Sequence, residues 1–218
     1  GKTTFMDVLC GKTRPDTGKA LLREKDLLKL DEKGIVDLGV GRKFQTPSVF
    51  GSLGVLDNLL LARKSDRGVL RSLFGRLQPS ERERIIAVAD TVGLSAELET
   101  PAARLSHGQK QWLEIGMLLV MEPDLLLIDE PAAGMTDEET RKTGELLKSL
   151  SRERSVIVIE HDMEFVRQLG CTVTVLCEGK VLTEGDMDKV QNDPAVIEQY
   201  LGRAREKKRE TTKADGNA

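Results

Sequence analysis

The stretch Leu125-Leu126-Leu127-Ile128-Asp129-Glu130-Pro131 decides how the rest of the chain is read. Four consecutive apolar residues, ended by two carboxylates and a proline, are the pattern of a strand buried on both faces that delivers acid at its carboxyl end. Adjacent carboxylates in such a place are costly without partners. A metal–phosphate centre supplies them. Asp129 would then hold a divalent cation, and Glu130 would polarise a reacting water as general base.

Upstream and downstream pieces fit the same centre. Leu105-Ser106-His107-Gly108-Gln109 opens a helix that runs to about Met121 and is apolar nearly all round from Trp112 onward, so it is predicted to be buried. Ser106 and Gly108 at its start offer hydroxyl and amide donors suited to a phosphate. Val156 to Ile159 reads as a second buried strand, followed by Glu160-His161-Asp162, which places His161 on the sheet edge where ligands collect. The chain opens with Gly1-Lys2-Thr3-Thr4, the ending of a G-x-x-x-x-G-K-[ST] phosphate loop, with the rest of that loop and its feeding strand lying before Gly1. The sequence therefore reads as a truncated product of a longer gene. Lys2 would give a point charge to the β and γ phosphates, Thr3 a hydroxyl to Mg²⁺, and the amides around Gly1 and Thr4 would face anionic oxygens.

The remaining elements follow from local signals. Thr3–Cys10 is predicted helical, with Phe5, Val8 and Leu9 on its apolar face and Gly11 as its stop. Short strands are expected around Ala20–Leu22 and Val40–Phe44, and short helices near Asp31–Leu38 and over residues 55–62. Residues 63–77 are basic and glycine-punctuated, the composition of a surface excursion. Ser80 with Glu83, and Thr136 with Glu139, read as capping boxes that start two helices. In the first helix Ile85, Ile86, Ala89 and Val92 share a face. In the second, Thr143, Leu146, Leu147 and Leu150 do. Residues 162–169 are expected to be a short helix and 172–177 a strand, and Glu178-Gly179-Lys180 a hairpin-like turn into Val181-Leu182. This alternation predicts an α/β fold with a mostly parallel sheet flanked by helices. Residues 46–105, poor in strand signals, form a helical subdomain inserted into a domain spanning 1–202, and the charged residues 203–218 form a disordered tail.

Composition narrows the function classes. With 39% hydrophobic and 32% charged residues over 218 positions, the chain is a globular protein with an ample core. No run approaches the roughly 20 apolar residues that span a bilayer. A formal net charge of −3 gives no bulk attraction for nucleic acid. Cys10, Cys171 and Cys177 match neither a zinc spacing nor a disulfide framework and read as reduced thiols. Trp112 and Tyr200, the only Trp and Tyr, read as packing residues.

Taken in order, the Gly1–Thr4, Leu105–Gln109, Leu125–Glu130 and Glu160–Asp162 pieces resemble the ATP-binding subunits of ABC transporters, over residues 1 to about 203. The resemblance implies a P-loop NTPase-type sheet lacking its N-terminal strands, ATP and Mg²⁺ as ligands, and ATP-driven import. It makes Gln45, after Val40–Phe44, the Q-loop glutamine that touches Mg²⁺ and water, and His161 the residue that holds the γ-phosphate. Ser106, Gly108 and Gln109 belong to the signature usually written L-S-G-G-Q, which serves the nucleotide of a second ATP-binding subunit. His107, at the first glycine of that signature, takes no chemistry. Residues 133–136 stand for the D-loop, with Thr136 in place of its usual aspartate. The implied partners are that second subunit, membrane permeases and, indirectly, an extracytoplasmic solute-binding protein, at the cytoplasmic face of a bacterial inner membrane. Gly41–Gln45 with Pro47–Phe50, Leu105–Gly116 and Gln199–Gly202 look most like the urea-transporter branch. Branched-chain amino acid and amide importers are the alternative, since they share the Ala132-Ala133-Gly134-Met135 type of D-loop.

Overall fold

A computed structural model describes residues 1–43, 48–63 and 79–198. Among the described residues two compact units are present, one within Thr3–Phe165 and one made of Gly1–Lys2 with residues 166–198.

In the larger unit the centre is a parallel three-stranded sheet, β3 (Val40–Lys43), β4 (Leu125–Asp129) and β5 (Ser155–Ile159), in the order β3-β4-β5. The register sets Val40 opposite Leu125 and Leu125 opposite Ser155, and runs through to Asp129 opposite Ile159. All five residues of β4 are buried, as the apolar run predicts. In β5 only Ile159 is buried, which corrects the expectation of a second buried strand. The physical reason is position. Among the described strands β4 has two neighbours and β5 has one, and an apolar run does not reveal how many sides will be covered.

Helix α1 (Lys2–Leu9) lays Met6 and Leu9 against Leu125, Leu127 and Ile159, with Leu27, Ile35 and Val40 completing this core. The buried face is thus Met6/Leu9, while Phe5, expected inside, is 45% exposed. Each leucine fully buried here stabilises the fold by about 1.5–3 kcal/mol. Arg42 on β3 donates to Asp7 of α1 at 2.5 Å and ties helix to sheet. Between them lie a small antiparallel pair, β1 (Leu21–Leu22) and β2 (Lys25–Asp26), and helix α2 (Glu32–Asp37), capped by Asp31, whose carboxylate accepts from the Gly34 amide at 2.8 Å.

A helical cluster follows: α3 (Val55–Leu61), α4 (Pro79–Thr91) and α5 (His107–Val120). Asn58, fully buried on α3, bonds the backbone of Phe50, Leu53 and Gly54 and so fixes the chain entering that helix. Ile85, Ala89 and Val92 are buried as predicted, and Gly93 ends α4 with φ +71°. The Ser80–Glu83 capping box is not how α4 starts. The helix begins at Pro79, whose fixed φ suits the first helical position, so Ser80 lies inside it. The Thr136–Glu139 box does form, at the start of α6 (Asp137–Leu150).

In the smaller unit β6 (Val173–Cys177) and β7 (Lys180–Gly185) make an antiparallel hairpin through Glu178-Gly179, both at positive φ, and α8 (Met187–Gln191) packs against it. Helix α7 (Met163–Leu169) leads into this unit. No helix among the described residues is long and apolar enough to cross a membrane. The tail from 203 and the excursion 64–77 lie outside the described residues.

Candidate nucleotide site

The acidic end of β4 is built as the sequence predicts. Asp129 closes the strand with 6% exposure, paired across the sheet with Ile159. Glu130 then turns into the left-handed region at φ +46°, and its amide donates to the Ile159 carbonyl at 2.9 Å. That conformation costs a non-glycine residue about 1–2 kcal/mol and persists only where the surroundings impose it. Its effect is to aim the carboxylate across the sheet edge. Glu130 Oε1 lies 3.3 Å from Nδ1 of His161, which follows the neighbouring strand β5. The structure brings these two predicted residues together, with the imidazole side chain 68% exposed.

A third carboxylate, which the sequence reading passed over, organises this edge. The Glu160 side chain is 3% exposed, and its Oε2 accepts the amides of His161 at 2.8 Å and Asp162 at 3.2 Å. Its Oε1 reaches the Ala132 amide at 3.4 Å. Glu160 thereby joins the turn after β5 to the turn after Glu130. Asp162 caps the next helix by accepting from the Glu164 and Phe165 amides.

The Leu105–Gln109 motif forms a second, separate cluster. Ser106 is the N-cap of α5 in a complete capping box: its Oγ accepts from the Gln109 amide at 3.1 Å, and Gln109 Oε1 accepts from the Ser106 amide at 2.9 Å. The Ser106 hydroxyl proton goes to Glu139 Oε1 on α6 at 2.7 Å. Gly108 is buried against that carboxylate; a Cβ there would lie 2.5 Å from Glu139 Cδ. Hydrogen bonds from the Thr136 backbone first, then from the Ser106 side chain, hold the Glu139 carboxyl below the ordinary carboxylate range. His107, assigned no role from sequence, has Nε2 3.1 Å from the Ala133 carbonyl. Deeper in, Trp112 donates to Thr143 at 2.9 Å, so α5 and α6 are bound along their length, and Trp112 is a packing residue as expected.

A third feature was not legible in the sequence. Lys43, at the end of β3, has a side chain with no exposure, 3.7 Å from Glu114 Oε2 on α5. Burial pushes the Lys43 ammonium's pKa down, against the Glu114 and Asp129 charges, and burial pushes the Glu114 carboxyl up. Glu114 Oε1 also accepts the Ser48 amide at 2.7 Å. One α5 residue therefore holds both ends of the segment that contains Gln45. Gln45 itself lies outside the described residues, as does Tyr200.

Gly1 is exposed, Lys2 begins α1, and Thr3 and Thr4 are exposed in its first turn, which contains no acidic side chain to compete with an anion. Among the described residues no group of three or more His, Cys, Asp or Glu could hold a metal by itself.

Residues 1–133 match the family profile of the ABC transporter ATP-binding domain. This chain belongs to that family. It is the ATP-hydrolysing subunit of a transporter, with the α/β fold predicted for it. Residues 180–206 also match a profile described as branched-chain amino acid ATP-binding cassette transporter. This ABC ATPase is 33% identical over 213 residues to the high-affinity branched-chain amino acid transport ATP-binding protein LivG of Escherichia coli, covering 94% of the chain and 84% of the relative. It is 32% identical over 204 residues to the lipopolysaccharide export system ATP-binding protein LptB of Acidithiobacillus ferridurans, covering 93% and 81%. Among solved structures, an ATP-binding cassette of an ABC transporter in its ADP conformation superposes with a TM-score of 0.78 at 27% identity, covering 93% of this chain and 84% of the other. The urea branch expected from sequence finds no support in these relatives, and the branched-chain alternative fits them better.

Proposed function

We propose that this ABC ATPase powers an importer of branched-chain amino acids, with ATP bound at the helix that Lys2 begins and hydrolysed at the edge formed by Glu130 and His161. The observation that carries the chemistry is the 3.3 Å approach of His161 Nδ1 to Glu130 Oε1 at the end of a fully buried strand. The match of residues 180–206 to the branched-chain transporter profile supports the choice of solute.

In this reading Glu130 takes the proton of the water that attacks the terminal phosphorus. The left-handed backbone at Glu130 directs its carboxylate outward, away from the apolar strand that carries it. His161, with Nδ1 3.3 Å from Oε1, orients that carboxylate and presents its other ring nitrogen to a phosphoryl oxygen. Lys2 and the first-turn amides of α1 balance the phosphate charge, and catalysis is mostly positioning and electrostatics. Asp129, Thr3 and Gln45 would hold Mg²⁺, which when bound neutralises charge on the phosphates. Ser106, Gly108 and Gln109 serve the nucleotide on a second ATP-binding subunit, so each site needs two chains. Membrane permeases, supplied by an extracytoplasmic solute-binding protein, receive the resulting movement at the cytoplasmic face of the inner membrane. Residues 46–105 act as the helical subdomain that meets them.

Uptake in cells disrupted for this gene tests the solute. Labelled leucine, isoleucine and valine uptake should fall to background and return with the gene, while urea uptake stays unchanged. The reverse pattern would restore the urea reading and dismiss this one.

A further inference from the structure

The proton of Ser106 Oγ is already committed. It is donated to Glu139 Oε1 at 2.7 Å, and a hydroxyl has only one proton to give. The Glu139 carboxylate also packs against Gly108, where a Cβ would lie 2.5 Å from its Cδ, and this explains why position 108 carries no side chain. The hydroxyl donor that a phosphate on a second subunit would need is therefore occupied by an anion of the same chain. Glu139's two oxygens have different tasks. Oε2 accepts from the Thr136 amide at 3.0 Å and hydroxyl at 3.1 Å, closing the cap of α6. Oε1 alone reaches across to the motif. Release of Oε1 leaves the cap intact, so the carboxylate can let go without cost to the helix that holds it.

We propose that Glu139 is an internal stand-in for the phosphate: its carboxylate latches the Ser106 hydroxyl until nucleotide on a second copy takes it. This rests on the reading that Ser106 acts across the subunit interface. The latch is autoinhibitory in sign, because an incoming phosphate must displace a bonded like charge before it gains that donor. A charged acceptor bonds about twice as strongly as a neutral one. Replacing it with a neutral amide should therefore ease closure by a factor of about three to ten.

The test is ATP-driven dimerisation, followed by analytical ultracentrifugation of a protein carrying a complete phosphate-binding loop and Glu130→Gln to slow hydrolysis. Adding Glu139→Gln, which keeps the capping box because glutamine serves at that position, should lower the ATP concentration for half-dimerisation three- to ten-fold. The gain should vanish when Ser106→Ala is also present. Glu139→Met, of similar volume, should shift the midpoint the same way if the glutamine variant is unstable. An unchanged or higher ATP midpoint with either substitution overturns the latch and leaves Glu139 a helix cap only. If Glu130→Gln protein does not dimerise with ATP at all, the cross-subunit reading fails, and the latch falls with it.

Discussion

Glu130 and Glu139 are nine residues apart and live under opposite regimes. Glu130 sits on a left-handed backbone at the mouth of the sheet, with an exposed imidazole as its neighbour. Glu139 sits on a regular helix, and both its oxygens are bonded to donors placed by two separate helix starts. The first carboxylate is placed by a left-handed backbone and, in the proposed function, takes the proton of the attacking water. The second is held below the ordinary carboxylate range by its bonds. On that proposal the contrast teaches that acid near a phosphate site has two uses, to act on substrate and to reserve a donor that will later meet it. Burial alone does not tell them apart.

The comparison can be broken from either end. The largest effect belongs to the mouth of the sheet: Glu130→Gln, in a protein with a complete phosphate loop, should lower turnover about 10²- to 10⁴-fold while nucleotide binding persists. Phosphate release and nucleotide titration measure the two, and turnover within a few-fold of the parent would remove Glu130 as the base. Next comes crowding at the latch. Gly108→Ala places a methyl 2.5 Å from Glu139 Cδ and should destabilise the fold by about 1–3 kcal/mol in denaturant unfolding. Glu139→Ala should recover most of that loss in the double variant; strict additivity would place the clash elsewhere. Thr136→Ala removes the cap of α6 and should cost about 1 kcal/mol, with little change in turnover per folded molecule. The smallest effect is a linkage. Because the folded pKa of Glu139 is depressed, its contribution is fully present above the unfolded value near 4.5 and is lost as pH falls through the lower folded value. Glu139→Gln should flatten the acid limb of melting temperature against pH, and an unaltered limb would contradict this.

What could be read from the residues divides along the length scale of the signal. The burial of β4, the capping box at Thr136, and the histidine beside the acidic strand are written in neighbouring residues, and the structure places them as expected. The capping box at Ser106 is a finding of the structure. The misreadings share one cause. Ser80–Glu83 has a good capping pattern, but Pro79 takes the first helical position. The apolar run of β5 is genuine, yet its burial depends on which strands flank it. Lys43 gave no local sign, and neither did the bonds that Glu114 and Glu139 make to distant residues. Their partners lie 33 residues away for Ser106–Glu139 and 66 for Ser48–Glu114, contacts that only the folded chain creates. A charged residue inside an otherwise apolar helix face, as Glu114 is on α5, was the one available hint.

Trp112 carries a practical consequence. It is the chain's single tryptophan, and its indole N–H is bonded to Thr143 on the opposing helix. The tryptophan emission of the molecule therefore comes from one spot between α5 and α6. Any parting of those helices would wet or re-orient one fluorophore, giving an optical gauge of the seam without a label.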